Sequence, residues 1–387
     1  MDRIYLDHNA STPVDARVLE AMLPLLQEAF GNPSSLHWFG QRARAALDEA
    51  RGRVADLIGA SPAEIVFTGS GTEADNMALR GVAALASGER RTIVHTAIEH
   101  HAIVHTSRAL AEEGWPVQTV RVGSDGVVDM DDLRAKVDER TALVAVMLAN
   151  NETGAIQPVA EVARLAHEKG ALVHCDGVQA AGKIPVDVRA LDVDTLALSA
   201  HKIYGPKGVG ALYVKRGARL KPLLRGGSQE RNRRAGTENV AGIAGLGAAA
   251  QLARAELAPQ AQRLGALRDR LEQRLLAIAG ARRNGDGPRV PNTCNVSFEG
   301  IEAESLLMAL DLAGIAVSTG AACAAGAVEP SHVLRGMGLP MDRVQGSLRF
   351  SLGRSNTEEQ ISRAAEAVVA AVEKQRSMVR MTGARRS

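Results

Sequence analysis

The chain has 387 residues, 45% of them hydrophobic, with 46 Lys+Arg against 44 Asp+Glu. That length exceeds one small core and points to two domains, while the even charge offers no global attraction to nucleic acid or to an anionic membrane. Three cysteines, Cys175, Cys294 and Cys323, are too few for a disulfide framework, so a reducing cytoplasm is the expected setting. The opening MDRIYLDHNA lacks the apolar region of a signal peptide, and the apolar run 142–149 is far too short for a membrane span.

In chain order, Ile65–Thr68, Thr92–Thr96, Val117–Val122, Leu143–Leu148, Ala171–Asp176, Thr195–Ser199 and Gly210–Val214 read as strands. Most are continuous apolar runs, as expected of strands covered on both faces. Helical patterns such as Pro158–Lys169 lie between them, and strand–helix alternation predicts an α/β domain with a mostly parallel sheet. A long Ala-rich helix is expected from about Glu238 to Ile278. The Gly/Pro-rich Asn284–Pro291 then separates a second set of elements. These are a strand at Asn295–Phe298, a helix at Ala303–Ala313, a strand at Ser347–Leu352 and a helix at Thr357–Lys374, an α+β pattern. Arg376–Ser387 is basic and without periodicity, so a mobile tail is expected there.

Several motifs invite chemical readings. Gly69–Ala74 (GSGTEA) leaves a strand and opens a helix, but no acid ends the next strand, RRTIVHT, as a dinucleotide fingerprint requires. What remains is a Gly-rich turn into a helix N-terminus, which suits a phosphate. His101 and His105 stand four apart on a helix, a zinc-compatible spacing, but the H-E-x-x-H pattern is absent and the pair lacks a third ligand, so no metal site is expected. Arg231–Arg234 (RNRR) reads as a solvated or inter-subunit loop. With only ten aromatics in the chain, base-stacking surfaces and nucleic-acid binding are not expected.

A different constellation sits on strand ends. ALSAHKIYGPK (Ala197–Lys207) delivers Ser199, His201 and Lys202 at the carboxyl end of a strand, and HCDGVQ delivers Asp176 and Gln179 at another. Open α/β sheets bind ligands at those ends. A lysine, an acid and a phosphate-binding turn along one edge are what pyridoxal phosphate needs: an amine for its aldehyde, an acid for the pyridinium nitrogen and donors for the phosphate. Cys323, in AVSTGAACAAGAVEP (Ala316–Pro330), stands among small residues that bury little. Such a soft tether leaves the thiol accessible.

With these residues in view, the chain resembles the cysteine desulfurases of the nitrogen-fixation and iron–sulfur-cluster type, in the class V aminotransferase group of fold-type I pyridoxal phosphate enzymes. The matching stretches run nearly end to end: YLDHNASTPV (Tyr5–Val14), FGNPSS (Phe30–Ser35), ANNETG (Ala149–Gly154), SAHKIYGPKG (Ser199–Gly208), RRAGTENV (Arg233–Val240), STGAAC with AVEPSHVLR (Ala327–Arg335), and GSLRFSLGR (Gly346–Arg354). The resemblance implies a large cofactor-binding domain, 14–258, with a mostly parallel mixed sheet between helices. It also implies a smaller α+β domain, 1–13 and 259–387, carrying the cysteine loop at about 316–330.

By the same resemblance, Lys202 forms the Schiff base, Asp176 pairs with the pyridinium nitrogen, Gln179 lies near the ring hydroxyl and His100 stacks on the ring and can shuttle a proton. Gly71, Thr72, Ser199 and His201 match phosphate-binding positions. Thr237 matches a phosphate ligand donated by a neighbouring subunit, which implies a homodimer with shared active sites. Asn151 and Arg349 match the residues that hold the substrate carboxylate, a task that suits the planar fork of arginine. Sulfur would leave L-cysteine as alanine is released, and Cys323 would carry it as a persulfide to an acceptor such as an iron–sulfur scaffold. No resident metal is implied, although in some relatives the loop cysteine transiently ligates a cluster iron when scaffold-bound. One departure is that Thr319, Ala321 and Ala322 fill a loop that is serine-rich in many relatives. A selenocysteine lyase or an aminotransferase would use the same lysine and acid, but transamination has no use for Cys323. A scaffold protein that had lost activity would be expected to lack Lys202 or Asp176, and both are present. Cys175 and Cys294 read as structural.

Overall fold

The computed structural model describes residues 3–86, 88–320, 323–324 and 327–383. Its strands are β1 (Ile4–Tyr5), β2 (Ile65–Thr68), β3 (Thr92–Thr96), β4 (Val117–Val120), β5 (Thr141–Met147), β6 (Leu172–Asp176), β7 (Thr195–Ser199), β8 (Gly210–Val214), β9 (Ala281–Arg283), β10 (Thr293–Phe298), β11 (Ile315–Ala316), β12 (Cys323–Ala324), β13 (Ala327–Val328) and β14 (Ser347–Ser351). The main sheet runs β2-β8-β7-β6-β5-β3-β4. Neighbours from β7 through β4 are parallel, and β8 is antiparallel to both β7 and β2. The mostly parallel mixed sheet expected from the apolar runs is therefore present.

Both faces of that sheet are buried, which is why its strands read as unbroken apolar runs. On β2 Ile65 and Phe67 face one core while Val66 faces the other; on β5 Val144 and Val146 oppose Leu143 and Ala145; on β7 Leu196 and Leu198 oppose Ala197. The first core is closed by Val159, Val162 and Ala166 of helix Val159–Glu168 and by Leu47 and Val54 of helix Trp38–Leu57. The second is closed by Met77, Ala78 and Leu79 of helix Gly71–Ala83 and by Ile103 and Leu110 of helix His101–Glu112. Cys175 is fully buried in the first core.

A separate core forms around the antiparallel sheet β14-β10-β9. Cys294, Val296 and Phe298 from β10 and Leu348 and Phe350 from β14 pack there with Ile361, Ala365 and Val368 of the helix Glu358–Gly383. The helix Val240–Leu276 serves both bodies: Ile243 and Leu246 enter the first core, Leu267 and Leu271 the third, and Pro259 lies between. The N-terminal strand β1 crosses over to pair with β11 in parallel.

Two expectations need correction. The tail from Arg376 is not without structure: the last helix continues to Gly383, and Arg376 donates to the Glu299 carbonyl at 2.8 Å. A basic segment needs no apolar stripe to stay helical when it prolongs a helix already packed upstream. The RNRR loop is only partly solvated, since Arg234 pairs with Glu73 at 2.8 Å and Arg231 donates to the Ala63 carbonyl at 3.0 Å. Ala321 and Ala322 of the cysteine loop, and residues 384–387, lie outside the described residues.

Candidate active site

The carboxyl ends of β2, β3, β5, β6 and β7 open on one cavity of about 300 Å³. Ten of the sequence-predicted residues line it: Gly71, Thr72, His100, Asn151, Asp176, Gln179, Ser199, His201, Lys202 and Arg349. At one end Ser70 caps the helix Gly71–Ala83, its side chain accepting from the Glu73 N–H at 3.1 Å. A Cβ added to Gly71 would meet Val178 Cγ2 at 2.9 Å and Ser199 Cβ at 3.3 Å. The missing side chain therefore lets the helix N-terminus, an anion-favouring group, sit against the ends of β6 and β7.

Asp176 ends β6 with its Oδ1 accepting from the Val178 N–H at 2.9 Å. Burial raises its pKa, and His100 and Lys202 only partly offset that. A buried carboxyl in that state calls for a cationic N–H partner, which a pyridinium supplies. His100 caps helix His101–Glu112, with Nδ1 accepting from the Ala102 N–H at 3.2 Å, and burial holds its pKa below the ordinary value. Its ring nitrogens and the carboxyl oxygens of Asp75 and Asp176 approach within 4.8 Å of one another. Asp75 is raised by burial and by Asp176, and it is taken up from behind by His174, whose Nε2 lies 3.1 Å from Asp75 Oδ1. Burial lowers His174 to about 3, so that imidazole is neutral.

Lys202 follows β7. Its Nζ donates to the carbonyls of Asn9 at 2.6 Å and Ala10 at 2.7 Å. Burial, and then the Arg349 charge, lower its pKa to about 8. A lysine so tuned has a neutral, nucleophilic fraction near neutrality. Gln179 Nε2 donates to the same Asn9 carbonyl at 2.9 Å, and Lys183 donates to Asn9 Oδ1 at 2.9 Å and to Gln179 Oε1. Arg349 extends from β14, its Nη1 donating to the Asn151 carbonyl at 3.0 Å and its Nη2 to Asp7 Oδ1 at 2.7 Å. Its buried Nε has no partner among the described residues. A buried guanidinium donor without a protein partner is left for a ligand or water to satisfy.

Two predicted residues stand apart. Thr237 is exposed and lines a separate hollow with Gly69, Arg234 and Glu238. Cys323 lies on β12, paired antiparallel with β13, and the placement of its side chain is outside what is described. The roots of its segment, however, are well defined. Ser318 and Arg349 exchange backbone hydrogen bonds at 3.2 and 2.7 Å, and Ser331 Oγ donates to the buried Glu152 carboxylate at 2.5 Å. The sequence reading assigned no role to Asp7, Asn9, Asp75, Glu152 or Lys183. Asp7 and Asn9 fall in LDHNAST and Glu152 in ANNETG, so those quoted motifs were the available signal.

The donor set fits pyridoxal phosphate: an amine of lowered pKa, a buried acid in want of an N–H, and a helix N-terminus flanked by Ser199 and His201. Residues 4–364 match the aminotransferase class-V family, and the chain belongs to it. Within that family it groups with the cysteine desulfurases. It is 50% identical over 380 residues to a cysteine desulfurase of Nostoc sp., covering 98% of this chain and 95% of that one. Among solved structures it resembles a NifS-like protein with a TM-score of 0.91, at 41% identity and covering 96% of this chain and 99% of the other. It also resembles SspA in complex with cysteine, with a TM-score of 0.80, at 33% identity and covering 90% and 98%. Members of this family depend on pyridoxal phosphate. No helix among the described residues is long and apolar enough to cross a membrane.

Proposed function

We propose that the cavity at the strand ends is where this pyridoxal phosphate-dependent cysteine desulfurase converts L-cysteine to L-alanine, and that Cys323 receives the sulfur as a persulfide. The observation that carries the residue assignments is the pairing of Ser318 with Arg349. It roots the cysteine-bearing segment on the strand whose Arg349 lines the cavity.

When bound, pyridoxal phosphate supplies an aldehyde that holds an amino group and a ring that absorbs the electrons of a carbanion. The chain's residues supply the rest. Lys202 would hold the aldehyde, and its free amine, with a pKa of about 8, would be suited to take the α-proton. Asp176 accepts the pyridinium N–H. The helix N-terminus at Gly71–Thr72, with Ser199 and His201, holds the phosphate. Arg349 and Asn151 would orient the substrate carboxylate, and His100, whose pKa burial lowers, would stand in the same cavity as a neutral imidazole able to move a proton. An ordinary thiol with pKa about 8.5 is a few per cent thiolate at pH 7, so Cys323 gives up its proton to a neighbouring base or to the substrate before it attacks sulfur. Flanked by Gly320, Ala324 and Gly326, it can collect sulfur inside and deliver it outside.

The same reading includes a homodimer in which Thr237 completes the phosphate site of the other subunit. Its exposure supports this, as does an apolar surface with Phe30 at 70%, Leu36 at 91% and Trp38 at 58% exposure. It also divides the chain into 14–258 and 1–13 with 259–387, supported by the separate cores, and passes the persulfide to an acceptor protein such as an iron–sulfur scaffold. The test is the intact mass after brief exposure to L-cysteine without reductant. Wild type should gain sulfur and release alanine, and Cys323→Ala should gain none. Equal sulfur on both proteins would remove Cys323 from the reaction.

A further inference from the structure

The pair His101 and His105 lacked a third ligand in the sequence, and the fold brings one from 227 positions beyond His105. His332 opens the short helix that follows the cysteine-bearing segment, and its ring centroid lies 4.6 Å from that of His101. His101 and His105, one turn apart on helix His101–Glu112, have ring centroids 4.9 Å apart. Two imidazoles on one tetrahedral zinc, with Zn–N near 2.0–2.1 Å, place their ring centroids about 5 Å apart. Both observed separations are within reach of that value, and the rings must turn for their nitrogens to converge, since among the described residues the group of three whose ligand atoms all lie within 4.8 Å of one another is Asp75, His100 and Asp176. His101 stands between the other two, and His105 is exposed, free to turn about its side-chain torsions and close the set.

The tautomer of His332 is already set. Its Nε2 lies 2.9 Å from the Glu99 carbonyl oxygen, which can only accept, so Nε2 carries the proton and Nδ1 presents a lone pair. A histidine ligand that donates its other N–H to a backbone carbonyl is the usual outer arrangement of a metal site. Among the described residues, the ring nitrogens of His101 and His105 have no hydrogen-bond partner. Burial keeps His101 and His332 below the ordinary imidazole pKa, so both are neutral and able to ligate at pH 7, and Glu329 is close enough to act on the His101 charge.

We infer that His101, His105 and His332 form a binding site for a divalent transition metal of the zinc type beside the N-terminal turn of helix His101–Glu112. A bound ion would tie the root of the cysteine-bearing segment to the helix that His100 caps.

Isothermal titration of the untagged, metal-stripped holoenzyme with Zn2+ tests this, with Cys323→Ala alongside. The site predicts one ion per chain in the micromolar range, retained in Cys323→Ala. Binding should weaken about tenfold or more in His101→Asn and in His332→Asn. His105→Gln, at an exposed position that leaves the fold undisturbed, should weaken it too. Cofactor absorbance of each variant reports that the cavity is intact. Absence of binding overturns the inference. So does binding that survives His332→Asn and His105→Gln but fails in Cys323→Ala, which would make the thiol the ligand. So, finally, does binding lost only in Asp75→Asn, which would move the ion to the buried group around Asp176.

Discussion

Removing the Ser331 hydroxyl should destabilise the protein by an amount that depends on pH. Ser331 and Glu152 are 5% and 2% exposed, and the hydroxyl donates to the carboxylate at 2.5 Å. Burial raises Glu152 from 4.5 to about 7, with Ser331 and Arg349 opposing the rise. A carboxyl raised on folding makes the protein lose stability as pH climbs from the unfolded value to the folded one, about 1.4 kcal/mol per pH unit in that window. At pH 8 Glu152 is ionised in the folded state, and Ser331→Ala strips a charged group of its donor, at a cost of about 1.5–3 kcal/mol. At pH 5.5 the carboxyl is protonated, and the bond lost is of the neutral kind, about 0.5–1.5 kcal/mol. Ser331 also accepts from the Leu334 N–H at 3.1 Å, but that capping loss is the same at both values. The drop in melting temperature should therefore be larger at pH 8 than at pH 5.5, by the equivalent of about 1 kcal/mol. In a Glu152→Gln background the difference should vanish, since no charge remains to titrate. Equal losses at the two pH values in wild-type background would refute the Ser331–Glu152 argument.

Three further outcomes follow from the same geometry. Reconstitution of the cofactor-free chain with pyridoxal phosphate, followed by absorbance, should quicken as pH rises through about 8, because Lys202 is neutral and nucleophilic above its lowered pKa; a rate flat from pH 7 to 9 would contradict that value. Arg349→Lys should raise KM for L-cysteine about tenfold or more with a smaller effect on kcat, since an ammonium cannot replace the fork that Asp7 and Asn151 now orient; initial rates over a substrate range decide it. Glu230→Gln should cost about 3–5 kcal/mol in denaturant unfolding, because it leaves Arg51, paired bidentately at 2.7 and 2.8 Å and 5% exposed, as an uncompensated buried charge.

What could be read before the fold was known followed from local chemistry. Strands buried on both faces write themselves as apolar runs, and a lysine and an acid at strand ends announce a site on a sheet edge. Asn9 could not be found that way. Its contribution is a backbone carbonyl that receives Lys202 and Gln179 together, and a carbonyl has no residue type. Glu152 and Ser331 are 179 positions apart, and nothing local in ANNETG or EPSH says that one holds the other. His332 escaped for the same reason. The antiparallel β8 was hidden too, since an apolar run is silent about strand direction. These residues share a cause of invisibility. Each meets a distant part of the chain: Asn9 receives Lys202 and Gln179, Ser331 donates to Glu152, and His332 lies on the Glu99 carbonyl. Burial then dictates the chemistry of the ties. Burial, and then the Arg349 charge, lower the pKa of Lys202, and Asp176 and Asp7 only partly oppose them; a carboxylate in place of the Asn9 carbonyl would hold the amine more firmly as an ammonium. The neutral backbone acceptor at Asn9 leaves that lowered pKa in place, and it is a feature that only the folded chain displays.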